Sequence, residues 1–386
     1  MKLFSLANEE QVFVKMEDPE GTLVYPAGTD AVLITAASAI GAEIEFLDDE
    51  QLRGGRSKLS PIKGRTTPGE WSMNTYIKPS GTLGTDPEAT VLFESLMGKK
   101  SGGGNSTPVV YGLDADVNLP SFSLWVKKGH TVFGMEGCTV NTAEFTIAGG
   151  EIVSVVWGGN FMQWYRAGTA YAVGDVTGSA STVTVDDATR FSGKNRMKIN
   201  LGADNNGGDG YVMTDINYTT NVITFSPIAA IGCSDGDAIT GWYPVGAAEV
   251  GAPVHGKITS VTIDDYPATL LSCSISMTNN IKYYEDEMNQ SWYAKAYGAF
   301  MRDISATLSL YFRKPSTTYF YRSEYQIQDA LKILVGDVDG KKCEFHMPQI
   351  EYRTPVLSGD EEVMMEIPVV AVATATLDDE FTITFK

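Results

Sequence analysis

Side chains that alternate with a period of two constrain this chain more than any other feature in it. Leu271 to Thr278 puts Ser272, Ser274, Ser276 and Thr278 on one side and Leu271, Cys273, Ile275 and Met277 on the other. Asp303 to Leu310 repeats the pattern, with Asp303, Ser305, Thr307 and Ser309 on one side. Glu70 to Ile77 groups Glu70, Ser72, Asn74 and Tyr76, and Ala42 to Phe46 groups Glu43 and Glu45 opposite Ile44 and Phe46. An extended strand sends successive side chains to opposite sides, so each run predicts one face on a core and one face in water. The wet sides are short, hydroxylated or acidic, with no Lys or Arg. Either they are plain exposed faces, or they form a polar wall to which little sticks.

The rest of the chain has the same texture. Short runs rich in Val, Ile, Thr, Phe and Tyr recur between Gly, Asn and Asp turns, so the fold class is mainly β. Two segments carry helical signals. Asp86 to Met97 has an N-cap candidate in Asp86, Pro87 at the first helical position and Gly98 after the last turn. Ser323 to Val335 opens on a Ser323/Gln326 capping box, spaces Ile327, Ala330, Leu331 and Leu334 helically, and closes on Gly336. Each follows a strand ending in Lys-Pro-Ser (Lys78 to Ser80, Lys314 to Ser316), and each precedes a Pro-bearing run at Leu119-Pro120 or Met347-Pro348. The shared order suggests a degenerate internal duplication; chance recurrence of three residues is the alternative.

Residues 167–247 differ. They are rich in Gly, Asp, Thr and Asn, lack helical periodicity, and carry short strands at Ser181–Val185, Arg196–Asn200, Tyr211–Ile216, Val222–Phe225 and Asp237–Trp242. They predict an inserted small β domain between two parts, 1–166 and 248–386, of a larger β domain; the 386-residue length allows two or three domains.

Two long excursions join the alternating runs: Leu47 to Gly69, 23 residues, and Asn279 to Arg302, 24 residues. Excursions this long inside a compact domain are often functional. The first holds Arg53, Arg56, Lys58, Lys63 and Arg65; the second holds Glu285, Asp286 and Glu287. The basic segment lacks interleaved aromatics and sits on a chain with 29 Lys plus Arg against 48 Asp plus Glu, a net charge of −19. Docking onto an acidic neighbour suits it better than gripping nucleic acid, which needs clustered cations.

Catalytic signatures are missing from the sequence: no H-E-x-x-H, G-x-S-x-G, P-loop or dinucleotide-binding glycine pattern occurs. Asp204 to Gly210 hints at a calcium loop, but Gly208 falls where a ligand is needed. His130, His255 and His346 are far apart, and Asp264-Asp265 and Asp378-Asp379 look like turn acids. No catalytic residue, metal or cofactor is expected. Cys138, Cys233, Cys273 and Cys343 have no metal-binding spacing and are expected to be buried free thiols in a reducing compartment. Met1 to Asp18 lacks the basic start and apolar block of a signal peptide, and no apolar run is long enough for a membrane span.

With these residues in view, the chain resembles the major tail tube proteins of long-tailed, non-contractile bacteriophages. The resemblance rests on Gly69-Glu70-Trp71-Ser72, on Lys78-Pro79-Ser80 leading through Pro87-Glu88 to Leu96-Met97-Gly98, and on Glu136-Gly137-Cys138-Thr139-Val140-Asn141. The order Ile304–Leu310, Gly336, Met347-Pro348 and Asp378-Asp379-Glu380-Phe381 adds to it. It covers all but the insert, which looks like the outward-facing extra β domains some of these proteins carry, a place for host cell wall contact. The resemblance implies a β-barrel or sandwich core and a structural virion protein, not an enzyme. Copies would form hexameric rings stacked into a tube that conducts DNA during ejection without binding it specifically.

On that reading Glu43, Glu45, Glu70, Ser72, Asn74, Ser272, Ser274, Ser276, Asp303, Ser305, Thr307 and Ser309 line the lumen. Arg53, Arg56, Lys58, Lys63, Arg65, Glu285, Asp286 and Glu287 lie between subunits or rings. The implied partners are further copies of the chain, a tape measure protein, a tail terminator and distal tail proteins, with no membrane. The implied location is the virion tail, assembled in the host cytoplasm. Competing readings are a related tube of a secretion or contractile system, and a glycan-binding β adhesin with the insert as its binding module.

Overall fold

The computed structural model describes residues 9–36, 38–49, 60–104, 107–116, 118–199, 203–246, 251–285, 287–288, 292–359 and 361–386. The fold is mainly β. The elements that matter below are β1 (Gln11–Met16), β2 (Ala39–Gly41), β3 (Ile44–Leu47), β4 (Ile62–Thr66), β5 (Gly69–Tyr76), α1 (Thr90–Met97), β6 (Phe122–Lys128), β7 (Thr131–Ala148) and β8 (Ser154–Phe161). They continue with β9 (Arg196–Lys198), β10 (Ser272–Thr278), β11 (Asp303–Tyr311), α2 (Thr318–Glu324), β12 (Gln328–Val335), β13 (Cys343–Tyr352), β14 (Val356–Ser358) and β15 (Met364–Ala371).

An antiparallel sheet runs β2–β5–β8–β7–β10–β11–β15–β14. Its inner face carries Trp71, Phe145, Trp157, Ile275, Leu308 and Ile367, all buried. The sheet folds over this core: Phe145 on β7 meets Phe345 on β13 with ring centroids 5.3 Å apart. Helix α1 plugs the same core, with Phe93 5.1 Å from Trp157 and 5.3 Å from Tyr111. Gly98 ends α1 in the left-handed conformation, φ 88°, as the glycine predicted. The helix starts at Thr90, after Ala89, and not at Asp86; Asp86 pairs with Lys100, 2.6 Å away, and Glu88 with Lys78, 3.2 Å away.

The second predicted helix is wrong over most of its length. Helix α2 stops at Glu324, and Gln328–Val335 is strand β12, paired with Thr259–Ile263 on one side and β13 on the other. Asp329, Leu331, Ile333 and Val335 point inward, a period-two set that the helical spacing of Ile327, Ala330, Leu331 and Leu334 obscured. Two flanking strands satisfy the backbone and bury β-branched side chains, which outweighs local helical preference. The shared order of strand, Lys-Pro-Ser and helix survives at β11 and α2, but the stretch from the helix to Gly336 no longer matches. Pro348 sits inside β13 at an irregularity in the β12–β13 ladder and opens nothing, and Lys314 is exposed where Lys78 is half-buried in an ion pair.

The insert has its own core, including Phe191, Met197, Tyr211, Ile223 and Ile239. Its six-stranded sheet takes up Thr169–Tyr171, Ala238–Gly241, β9, Tyr211–Asn217, Val222–Ser226 and Thr182–Thr184, in that order. All five predicted strands are present, within two residues at each end. Entry and exit meet where the Gly241 amide donates to Gly168 O at 3.0 Å.

Candidate functional site

Ladder register decides where the polar sides of the strands go. Reading across six strands, Asn74 stands opposite Val156, Val156 opposite Glu144, Glu144 opposite Ser276, Ser276 opposite Ser305 and Ser305 opposite Val370. A neighbouring row runs Tyr76, Ser154, Thr146, Ser274, Thr307, Pro368, and another runs Ser72, Gly158, Thr142, Thr278, Asp303. Ser272 and Ser309 pair at the far end, beside Glu366. Glu70, Ser72, Asn74, Ser272, Ser274, Ser276, Asp303, Ser305, Thr307 and Ser309 therefore share one partly exposed face. Six strands at the usual spacing make it about 24 Å wide.

The face carries four exposed carboxylates, Glu70, Glu144, Asp303 and Glu366. β5, β8, β10, β11, β15 and residues 142–148 of β7 contain no Lys or Arg at all. Asp303 accepts a hydrogen bond from Asn280 Nδ2 at 3.0 Å. Sequence reasoning missed Thr142, Glu144, Thr146 and Glu366. The first three alternate properly, but they begin midway along the 18-residue β7, whose residues 134–140 are all buried. Glu366 lies two residues before Pro368, a residue that argues against a strand.

Glu45 leaves the face with the hairpin, while Glu43, just before β3, lines a cavity together with Glu70 and Ser72. Among the described residues β3 and β4 pair only with each other as a hairpin, and neither side of β3 has a packing layer. The expectation that Ile44 and Phe46 pack inward is therefore overturned. Ile44, Phe46, Leu47 and Ile62 are all exposed, Phe46 at 63% and Ile62 at 58%. Four large apolar side chains on one small hairpin form the kind of patch that marks an interaction surface.

The two excursions meet. The Thr66 amide donates to Trp292 O at 3.0 Å, and Lys63 Nζ lies 5.9 Å from the Trp292 ring centroid. Arg65 Nε is 3.3 Å from Glu45 and 3.4 Å from Glu285, so acids of the same chain take up Arg65. Glu287 joins no ion pair among the described residues, while Arg53, Arg56, Lys58 and Asp286 lie outside them. Between the hairpin base, β5 and the Ile281–Glu285 segment is an open cavity of about 890 Å³, lined among others by Gly41, Glu43, Glu70, Tyr283 and Glu285.

The suspected calcium loop is a structural knot. Asp204 accepts from the Ile231 and Gly232 amides, both at 2.8 Å, and from the Tyr211 hydroxyl. Burial opposes its ionisation, but the donors of Gly232, Tyr211 and Ile231 outweigh it and hold the carboxyl below its ordinary range. All four cysteines are buried and unpaired. Among the described residues no group of His, Cys, Asp and Glu could hold a metal ion, and no helix is long and apolar enough to cross a membrane. No protein-family model matches the chain, and no curated protein matches it either.

Proposed function

We propose that the chain is the structural subunit of a phage tail tube, built from hexameric rings that stack and conduct DNA. One observation carries the proposal: six adjacent strands, in register, present a face with four carboxylates, many hydroxyls and no cation. A polyanion gains no counterion release from such a wall and finds no lysine or arginine to hold it. Passage without drag is what a DNA conduit needs.

Two further features suit assembly. β2 and β14 are three-residue strands that each pair on one side only among the described residues, while the other half of β15 continues into β13. Unpaired strand edges are templates for a neighbour's backbone, and head-to-tail pairing of unlike edges closes into a ring. The hairpin with Ile44, Phe46, Leu47 and Ile62 would be covered in the stack, beside Lys63. Tape measure, terminator and distal tail proteins would bound the tube, and the virion tail would be its location. Electron microscopy of the concentrated protein tests the proposal. Rings or hollow filaments support it; a protein that stays a lone monomer with and without tube ends as seeds contradicts it.

A further inference from the structure

The seam between the insert and the body concentrates positive charge on an otherwise acidic chain. Lys127 comes from β6 of the body and Lys198 from β9 of the insert. Both ammonium groups lie against the ring of Tyr243, 4.2 and 3.9 Å from its centroid, and so within about 8 Å of each other. Arg196, two residues before Lys198 on the same side of β9, is clamped between Tyr25 and Trp242, 3.9 and 5.1 Å from their ring centroids. Its Nε is buried with no hydrogen-bond partner, while another of its nitrogens donates to Asp209 O at 2.6 Å.

Neither lysine has a carboxylate or a hydrogen-bond acceptor among the described residues, although acids outnumber bases by 48 to 29 in the sequence. An ammonium group has three donors, and an aromatic face satisfies the charge without accepting all three. Burial lowers the affinity of Lys198 for its proton; the Tyr243 hydroxyl works against this and Lys127 adds to it. Two like charges drawn to one ring repel each other, and a multiply charged anion between them would remove that repulsion.

We propose that this seam binds a phosphoryl oxyanion between Lys127 and Lys198, with the Tyr243 ring as its floor. A phosphate dianion balances both ammonium groups, and its oxygens accept from both; a single carboxylate balances one. The phosphoryl group could arrive as free phosphate or on a polyol-phosphate polymer. The site joins body and insert and does not depend on the assembly reading.

Calorimetric titration of the whole protein tests this, with sodium phosphate and with poly(glycerol phosphate) at matched phosphoryl concentration, in chloride of matched ionic strength. Lys127→Gln and Lys198→Gln are expected each to weaken binding at least about tenfold, the loss of one charge-assisted contact. Lys99→Gln, on a distant strand, is expected to bind as the parent does. Binding of the polymer alone assigns the site to chain-borne phosphate, and binding of inorganic phosphate supports the free anion. Binding of neither probe, or equal binding by parent and both seam variants, overturns the proposal. Thermal melts in chloride establish that each variant is folded before it is titrated.

Discussion

Reversing charge on the polar face gives the account a quantitative consequence. Glu144 stands between Val156 and Ser276, neither of them charged, and Glu366 between Ser309 and Val356. The carboxylate of Asp303 lies two strands from Glu144 and two residues along, roughly 12 Å by strand geometry and beyond a Debye length of about 8 Å. Lysine at either exposed position should therefore change folding stability by less than about 0.5 kcal/mol. In a sixfold ring, Glu144→Lys with Glu366→Lys adds about twelve ammonium groups to the bore. If DNA engages only about four at once, the logarithm of its affinity falls by roughly 3.6 per decade of salt, or about 150-fold between about 50 and 200 mM. The assay is co-sedimentation of DNA with assembled tubes across a salt series. Parent tubes should retain none at any salt; the double variant should retain DNA at low salt and release it as salt rises. Variant tubes that assemble, melt like the parent and still retain no DNA would refute the reasoning.

Three further outcomes are expected. Asp204→Ala leaves the Ile231 and Gly232 amides and the Tyr211 hydroxyl without their acceptor, and should destabilise the insert by about 2–4 kcal/mol while the body melts as before, read by calorimetry. Because its carboxyl is held below the ordinary range, the stabilisation from Asp204 is complete above that range and is lost as pH falls through the lowered value, so the parent insert should lose the most stability on acidification and the alanine variant should not share that loss. Gly159→Ala places a Cβ 1.9 Å from Thr139 O and 2.8 Å from the Trp71 ring, so it should cost upwards of about 2 kcal/mol in denaturant unfolding or yield insoluble protein. Arg65→Gln removes partly exposed ion pairs to Glu45 and Glu285; global stability should move by less than about 1 kcal/mol, while hydrogen exchange at the Thr66 amide, bonded to Trp292 O, should quicken.

What the sequence discloses follows from how local each signal is. The faces of β5, β10 and β11 are legible because alternation alone fixes which side chains share a side, and the insert is legible because its strands are bounded by Gly and Asn turns. The joining of those faces into one wall is a matter of register between strands up to 230 residues apart, which no local pattern encodes. β12 shows the opposite failure. Its apolar residues fit a helical window, and a short apolar run does not distinguish helix from strand until its partners are known. The hairpin misleads for a different reason. Glu43, Ile44, Glu45 and Phe46 alternate like a half-buried strand, yet no second layer covers Ile44 and Phe46 among the described residues.

The most direct test of the central claim is a cryo-electron microscopy reconstruction of the assembled particle, resolved well enough to trace side chains. The account predicts a continuous bore onto which Glu144, Ser276 and Ser305 project from every subunit, with no Lys or Arg among them. A bore lined by cationic side chains, or this six-strand face turned to the outside or buried between subunits, would contradict it.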